Sequence, residues 1–293
     1  MNIYGQIASN KRKTIFLIFG FLVFAVIFGY IISLFFDFGL LGLGVFLVIF
    51  GLITYASYYN SDKMVLSLSH AKPVKKESYP LLYNIVENLS IGLGQPMPKV
   101  YVIEDGGMNA FATGRDPQHS SVAATTGLLN ALDKQELTGV MAHELSHVRN
   151  YDIRLMSLVT VLAGSIAIIS DFFLRSLLWG GGDSDRKSNG ILIVIALAAA
   201  ILAPIAAGLI QLSVSRNREY LADASGALLT RYPEGLASAL EKISKHPKVK
   251  HSSHATAHMF IESPFGEKAK DFFSNLYSTH PPAIERIKRL RAM

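Results

Sequence analysis

The 293-residue sequence predicts a mainly α membrane protein, in which transmembrane helices accompany a small α+β domain. Three observations carry this. Hydrophobic residues make up 50% of the chain and charged ones only 17%, below the roughly 25% usual for soluble domains. Long uncharged runs recur, bordered by basic residues. Between and after them lie stretches with the mixed periodicity of a folded polar unit.

The first element is a run without a charged residue from Ile15 to Phe36, directly after Lys11, Arg12 and Lys13. At about 1.5 Å of rise per residue a helix over this run reaches roughly 33 Å, enough to cross a bilayer. The run is too long for a signal peptide, and no small-residue cleavage site follows it. After a short link at Asp37 and Phe38, a second uncharged run spans Gly39 to Tyr59. Two spans so closely joined form an antiparallel hairpin, assigned to residues 1–62. Lys63, Lys72, Lys75 and Lys76 come next. Both basic clusters therefore lie on one side, which the positive-inside rule makes cytoplasmic.

Residues 63–152 are assigned to the first part of a folded polar domain, and the chain changes character from about Ser78 to Asp152. Leu81, Leu82, Ile85, Val86 and Leu89 recur at helical spacing. Lys99–Ile103 reads as a strand, as do Asn109–Thr113 and Ser120–Thr126, the last two separated by the turn-rich segment Gly114–Gln118. Asp133 with Glu136 three residues on forms a capping-box pattern, predicting a helix from Lys134 to at least Arg149.

Residues 153–214 read as a second hydrophobic hairpin. The third run, Leu155–Ser170, is short but extendable through Phe172–Leu174; a hydrophilic loop, Gly180–Asn189, leads to the long fourth run, Ile191–Val214. The pair either crosses the bilayer or forms a buried or interfacial hairpin, and the length of the fourth run favours crossing. Either way the chain returns to its starting side. Residues 215–293 are mostly polar with a helical pattern and complete the domain begun by residues 63–152.

Several function classes drop out. There is no cysteine, which excludes disulfides, thiolate zinc sites and cysteine-protease chemistry, and fits a reducing compartment. The net charge of +6 comes from Lys and Arg flanking apolar runs, without a basic stripe carrying interleaved aromatics. The expected partner is therefore the anionic lipid bilayer and not nucleic acid. No phosphate-binding loop occurs, so no ATP is expected.

The strongest chemical signal is His143-Glu144-Leu145-Ser146-His147. Residues four apart on a helix share a face, so two imidazoles at this spacing can hold one Zn²⁺. The metal brings the pKa of a water toward about 7, where the neighbouring Glu144 carboxylate can take its proton and later pass it to a leaving amine. Catalytic zinc usually has three protein ligands, and no histidine follows His147 at metzincin spacing. Glu219 is the candidate third ligand. Helical spacing puts Asp223 on its face, where it can accept a hydrogen bond from a zinc-bound histidine, while Ala222 and Gly226 allow close helix packing. Spacing alone favours an ordinary surface carboxylate at Glu219.

The HExxH segment before an apolar run, followed after a second run by Ser215-Arg216-Asn217-Arg218-Glu219-Tyr220-Leu221-Ala222-Asp223, resembles the HtpX family of membrane zinc proteases. That family is related to the CAAX prenyl proteases and belongs to the gluzincins. Asn109-Ala110-Phe111-Ala112-Thr113-Gly114 and Thr279-His280-Pro281-Pro282 match as well, so the likeness covers nearly the whole chain. The resemblance implies a zincin-like, thermolysin-like catalytic domain with one zinc ion on His143, His147 and Glu219, and Glu144 as catalytic base. It also implies cytoplasmic-side cleavage of unfolded or misfolded membrane-protein substrates at a bacterial inner membrane, within stress response.

Further candidates are softer. The Asn109–Thr113 strand offers an edge to which an extended substrate can add, unless it is internal and paired on both sides. His280 and Arg286 are candidates for stabilising an oxyanion, although capping and packing explain them equally well. His246, His251, His254 and His258 lie in a polar segment without paired carboxylates and read as solvated side chains. Rival functions are a membrane scaffold or chaperone-like protein with a structural metal, a prenyl-protein protease, and a transporter. The last requires charges along its spans, and these runs have essentially none.

Overall fold

The computed structural model describes residues 3–35, 39–162, 216–245, 261 and 281–293. The loop Gly180–Asn189, the fourth run, the second half of the third, the four histidines from His246 to His258, and His280 lie outside the described residues. What is described is mostly helical, with one small sheet.

Helix α1 (Ile3–Phe35) packs against helix α2 (Gly39–Tyr59). The hairpin is held by aromatic contacts, with Phe21 and Phe50 ring centroids 5.2 Å apart. Large apolar side chains on its outer faces stay exposed, among them Phe16, Phe19, Leu40, Leu41 and Leu52. Such a surface is stable only against another apolar phase. Among the described residues, Gly39–Ala56 is long and apolar enough to cross a membrane, with a mean hydropathy of 2.2. Helix α1 begins twelve residues before the apolar run that predicts it, and Asn10, in this early part, is buried.

Helix α3 (Ser61–Leu68) leads to strand β1 (Lys72–Pro73) and helix α4 (Pro80–Leu93). Helix α4 starts with proline at its first position, where no donor is lost, and ends on Gly94 at φ +62°, a left-handed cap. It buries Leu82, Ile85, Val86 and Leu89, whereas Leu81 falls off the stripe and stays exposed.

The sheet runs β1-β2-β4-β3, with β2 at Lys99–Ile103, β3 at Ala110–Asp116 and β4 at His119–Thr125. Strand β2 pairs parallel to β4, and β3 pairs antiparallel to β4. The segment expected to separate β3 from β4 shrinks to Pro117 and Gln118, because β3 extends into it as far as Asp116, with an irregularity between Gly114 and Asp116. Gly114 has φ +136°, and a Cβ there would overlap the His119 carbonyl oxygen. Strand β3 is the edge of the sheet, which removes the reading as an internal strand.

Helix α5 (Thr126–Ala131) precedes helix α6 (Lys134–Arg149), which starts on a complete capping box: Asp133 accepts from the Gln135 and Glu136 N–H groups, and Glu136 accepts from the Asp133 N–H. Helix α6 is buried nearly all round. It packs on α4, β3 and the helices Arg216–Thr230 and Pro233–Lys245, with Leu137, Val140, Met141, Leu145 and Val148 in one apolar core. After Tyr151, residues 152–162 are helical, and their apolar side chains are buried in protein, in contrast to the outer faces of α1 and α2. The short helix Ala283–Leu290 packs on the Pro233–Lys245 helix.

Candidate metal centre

His143, Glu144 and His147 project from the C-terminal half of α6, and Glu219 from the first turn of the Arg216–Thr230 helix; all four are buried. The two helices approach closely because Gly226 faces α6: a Cβ there would meet the His143 backbone nitrogen at 3.1 Å. Burying three carboxyl-bearing or imidazole groups on a core helix is unfavourable unless each is paired or holds a cation.

His143 Nε2 lies 3.2 Å from His147 Nε2. The Glu219 carboxylate approaches both, with Oε2 3.7 Å from His143 Nε2 and Oε1 3.6 Å from His147 Nε2. Two donors each about 2.0–2.1 Å from one Zn²⁺ at a tetrahedral angle stand roughly 3.3 Å apart. Two imidazole nitrogens and a carboxylate whose two oxygens face them at these separations match the spacing of donors around one zinc ion. These three form the group able to hold a metal among the described residues.

The outer nitrogens are engaged too. His143 Nδ1 lies 2.9 Å from Asp223 Oδ1, and His147 Nδ1 lies 3.0 Å from Asp152 Oδ2. If each Nδ1 carries the proton and donates it to its carboxylate, both Nε2 lone pairs are left facing Glu219. A carboxylate behind a ligating imidazole fixes its tautomer and ring orientation in this way.

Electrostatics agree with a cation site. Burial opposes charging His147, but its hydrogen bond to Asp152 and the charges of Glu219, Asp152 and Glu144 outweigh that and push its pKa up to about 9. The field that holds a proton there favours a divalent cation in the same place. For Asp223, burial favours the neutral acid, yet the Arg286 guanidinium and the hydrogen bonds from His143 and Arg286 bring its pKa down to about 2.

Arg286 is fully buried in the Ala283–Leu290 helix and donates through Nη2 and Nε to the two Asp223 oxygens, at 2.7 and 2.9 Å. Its Nη1 donates to the Ile261 carbonyl at 3.0 Å and lies 3.9 Å from Glu219 Oε2. Its Nη2 also lies 3.4 Å from His143 Nε2, so Arg286 stands beside the imidazole while it holds Asp223.

Asn109, at the start of β3, is buried; its side-chain oxygen accepts from the Ala110 N–H, and its carbonyl from the Thr125 N–H. On the outer edge of β3 the Ala110 carbonyl accepts from the Ile261 N–H, and the Gly114 N–H donates to Ser157 Oγ. Since backbone groups alternate sides along a strand, Ala112 presents both of its groups to that same edge.

Sequence reasoning missed Asp152, Arg218 and Asn10. Asp152 lies just past the end of α6 and returns to His147 because Tyr151 adopts φ +58°, a turn rare outside glycine. Lys11 and Arg154 stack on the Tyr151 ring, at 4.6 and 5.2 Å from its centroid. The only hint in sequence was an acid five residues after the second histidine.

Comparison with known proteins adds an independent line. Residues 79–293 match peptidase family M48. A protein named Protease HtpX homolog from Thermoanaerobacter pseudethanolicus is 46% identical, over 99% of this chain and 98% of its own. One of the same name from Tropheryma whipplei is 48% identical over the same shares. The crystal structure of S. mikatae Ste24p superposes with a TM-score of 0.52 at 19% identity, covering 98% of this chain and 66% of that one. At that identity the likeness speaks for the fold.

Proposed function

Because the chain belongs to peptidase family M48, we propose that it hydrolyses peptide bonds of unfolded or misfolded membrane proteins, as a membrane-bound zinc endopeptidase. The observation that carries this is the convergence of His143 Nε2, His147 Nε2 and the Glu219 carboxylate within 3.2–3.7 Å of one another. These residues hold the zinc ion, which when bound supplies Lewis-acid polarisation and acidifies a water. A closed structural zinc site takes four protein donors, and among the described residues three converge here. That donor count supports catalysis over a scaffold role.

Glu144, buried beside His143, takes a proton from the attacking water as the oxygen–carbon bond forms. It returns that proton to the amine nitrogen as the carbon–nitrogen bond breaks. Asp223 and Asp152 hold the two imidazoles in the ligating tautomer, and Arg286 holds Asp223. An extended substrate adds to the outer edge of β3 at Ala112, so affinity comes from backbone hydrogen bonds with little demand on sequence. That suits varied unfolded segments. Asn109 sets the start of this edge, and His280 is a further candidate for contact with the substrate.

In membrane terms, residues 1–62 and 153–214 form two hairpins of a multi-pass bacterial inner-membrane protein, and residues 63–152 and 215–293 form a cytoplasmic catalytic domain. Lys11, Arg12 and Lys13 before the first span, and Lys63 after the second, support that orientation.

The deciding experiment pairs metal analysis with cleavage of an unfolded membrane protein by the detergent-purified chain. Glu144→Ala is expected to keep one zinc per chain while its cleavage rate drops by at least about 10²-fold, the scale of a lost general base. Wild-type cleavage by this variant rejects the mechanism.

A further inference from the structure

Asn10 belongs to the segment just before the basic residues and the first apolar run, far in sequence from the metal centre. It is nevertheless buried against it. Its Nδ2 donates to Asp152 Oδ1 at 2.7 Å and to the Asn150 carbonyl at 3.0 Å. Its Oδ1 accepts from Arg218 Nη1 at 3.4 Å, and Arg218 Nε lies 3.8 Å from Asp152 Oδ1. Asn10, Asn150, Asp152 and Arg218 are each at most 3% exposed.

The two oxygens of Asp152 are therefore divided. Oδ2 faces His147 Nδ1 at 3.0 Å, while Oδ1 receives Asn10 and is approached by Arg218. A buried carboxylate free to rotate about its last bond would hold the imidazole loosely. The two donated bonds of Asn10 fix its own amide plane and, through it, the plane of Asp152. Arg218 immediately precedes Glu219, so the same amide also touches the helix that carries the third donor. Thr14 Oγ1 donates to the Asn10 carbonyl one turn on, at 2.9 Å, within the same helix.

We propose that Asn10 is a positioning residue of the metal centre: it orients Asp152, and through it His147, so that the zinc site is completed by the N-terminal helix that enters the membrane. This rests on the zinc reading above. It also means that the anchoring helix is built into the site, beyond tethering the domain to the bilayer. Outer hydrogen-bond partners of ligating histidines typically change metal affinity by about 10–100-fold when removed. Asn10 stands one bond further out, behind Asp152, so a loss near the lower figure is expected.

The test is a double-mutant cycle on the full chain in detergent micelles, with zinc dissociation constants read by competition with a chromophoric chelator. Asn10→Ala is expected to weaken zinc binding about tenfold in the wild-type background and less than about twofold in an Asp152→Ala background. Asn10→Asp keeps the side-chain shape and the acceptor facing Arg218 but removes the donor, and is expected to weaken binding at least as much as Asn10→Ala. In the cobalt(II)-loaded protein, Asn10→Ala is expected to shift the visible ligand-field bands, which a helix that merely docks would leave in place. Unchanged zinc affinity in both variants, or an equal factor in both backgrounds, overturns the proposal while leaving the zinc reading intact. Loss of wild-type helical content in the metal-free variants makes Asn10 a folding residue and also overturns it. Failure of the wild-type chain itself to bind zinc rejects the zinc reading instead.

Discussion

Arg286 and Asp223 form a two-pronged ion pair, with Nη2 to Oδ1 at 2.7 Å and Nε to Oδ2 at 2.9 Å, in the layer directly behind His143. The pair joins the C-terminal helix to the helix of Glu219. Asp223 also sits 2.9 Å from His143 Nδ1, so stability and ligand geometry depend on the same carboxylate.

Arg286→Ala leaves the buried Asp223 charge without its guanidinium, a change that typically costs about 3–5 kcal/mol. Thermal unfolding of the detergent-solubilised chain is expected to show this as a large drop in Tm. Arg286→Lys is expected to recover only part of it, because an ammonium cannot span both carboxylate oxygens as the planar guanidinium does. A Lys variant as stable as wild type would show that charge alone matters and that the fork geometry does not.

Gly139 on α6 faces the Pro233–Lys245 helix so closely that a Cβ would come within 2.6 Å of the Leu236 nitrogen and 2.9 Å of its Cα. Both atoms are backbone, so one helix must move. Gly139→Ala is expected to destabilise by about 1–3 kcal/mol through overpacking, although alanine is the better helix former by about 1 kcal/mol. Chemical denaturation checks the sign. A stabilised Gly139→Ala would show that the two helices can separate freely.

Glu136 provides the pH test. Burial opposes its ionisation, but hydrogen bonds from Lys242 and Ser238 and from the Asp133 N–H outweigh that and hold its carboxyl below the ordinary value. The Lys242 Nζ to Glu136 Oε2 distance is 2.7 Å, and Ser238 Oγ donates to Oε1 at 2.7 Å. A depressed folded-state pKa means the contribution is complete above the unfolded value, near 4.5, and is lost as pH falls through the folded one. Glu136→Gln keeps a capping side chain and removes the charge. At pH 7 it is expected to lower stability by on the order of 1 kcal/mol, since Lys242 is partly exposed and screened by solvent. The gap to wild type is expected to close as pH falls below that value, read by Tm at several pH values. A gap that persists in acid would assign the effect to packing.

Much of this protein was legible in the linear chain because its strongest signals are local and periodic. The N-terminal pair of apolar runs, the Asp133–Glu136 capping box and the two histidines one turn apart each follow from spacing along the chain, whereas the ligand role of Glu219 comes from the family resemblance, because spacing alone favours a surface carboxylate. Small residues likewise announce the notch at Gly226. Strand β2 also fell where its branched residues placed it. Strand β3 runs further than expected, to Asp116, because pairing with β4 can carry a strand into a segment rich in turn formers, whereas β4 is displaced by one residue.

What only the tertiary structure decided is which distant groups stand behind the ligands. The chain could not say that Asn10 reaches Asp152, that Asp152 turns back to His147, or that Arg286 pairs with Asp223. Nor could it make β1 a strand from Lys72 and Pro73, or place β3 at the sheet edge. Contacts of this kind have no period. They arise when helices meet at particular crossings, and a buried charge then takes whichever partner the crossing brings within 3 Å. The sequence determined the chemistry available to the site; the packing of α1, α6 and the C-terminal helices decided how that chemistry is held.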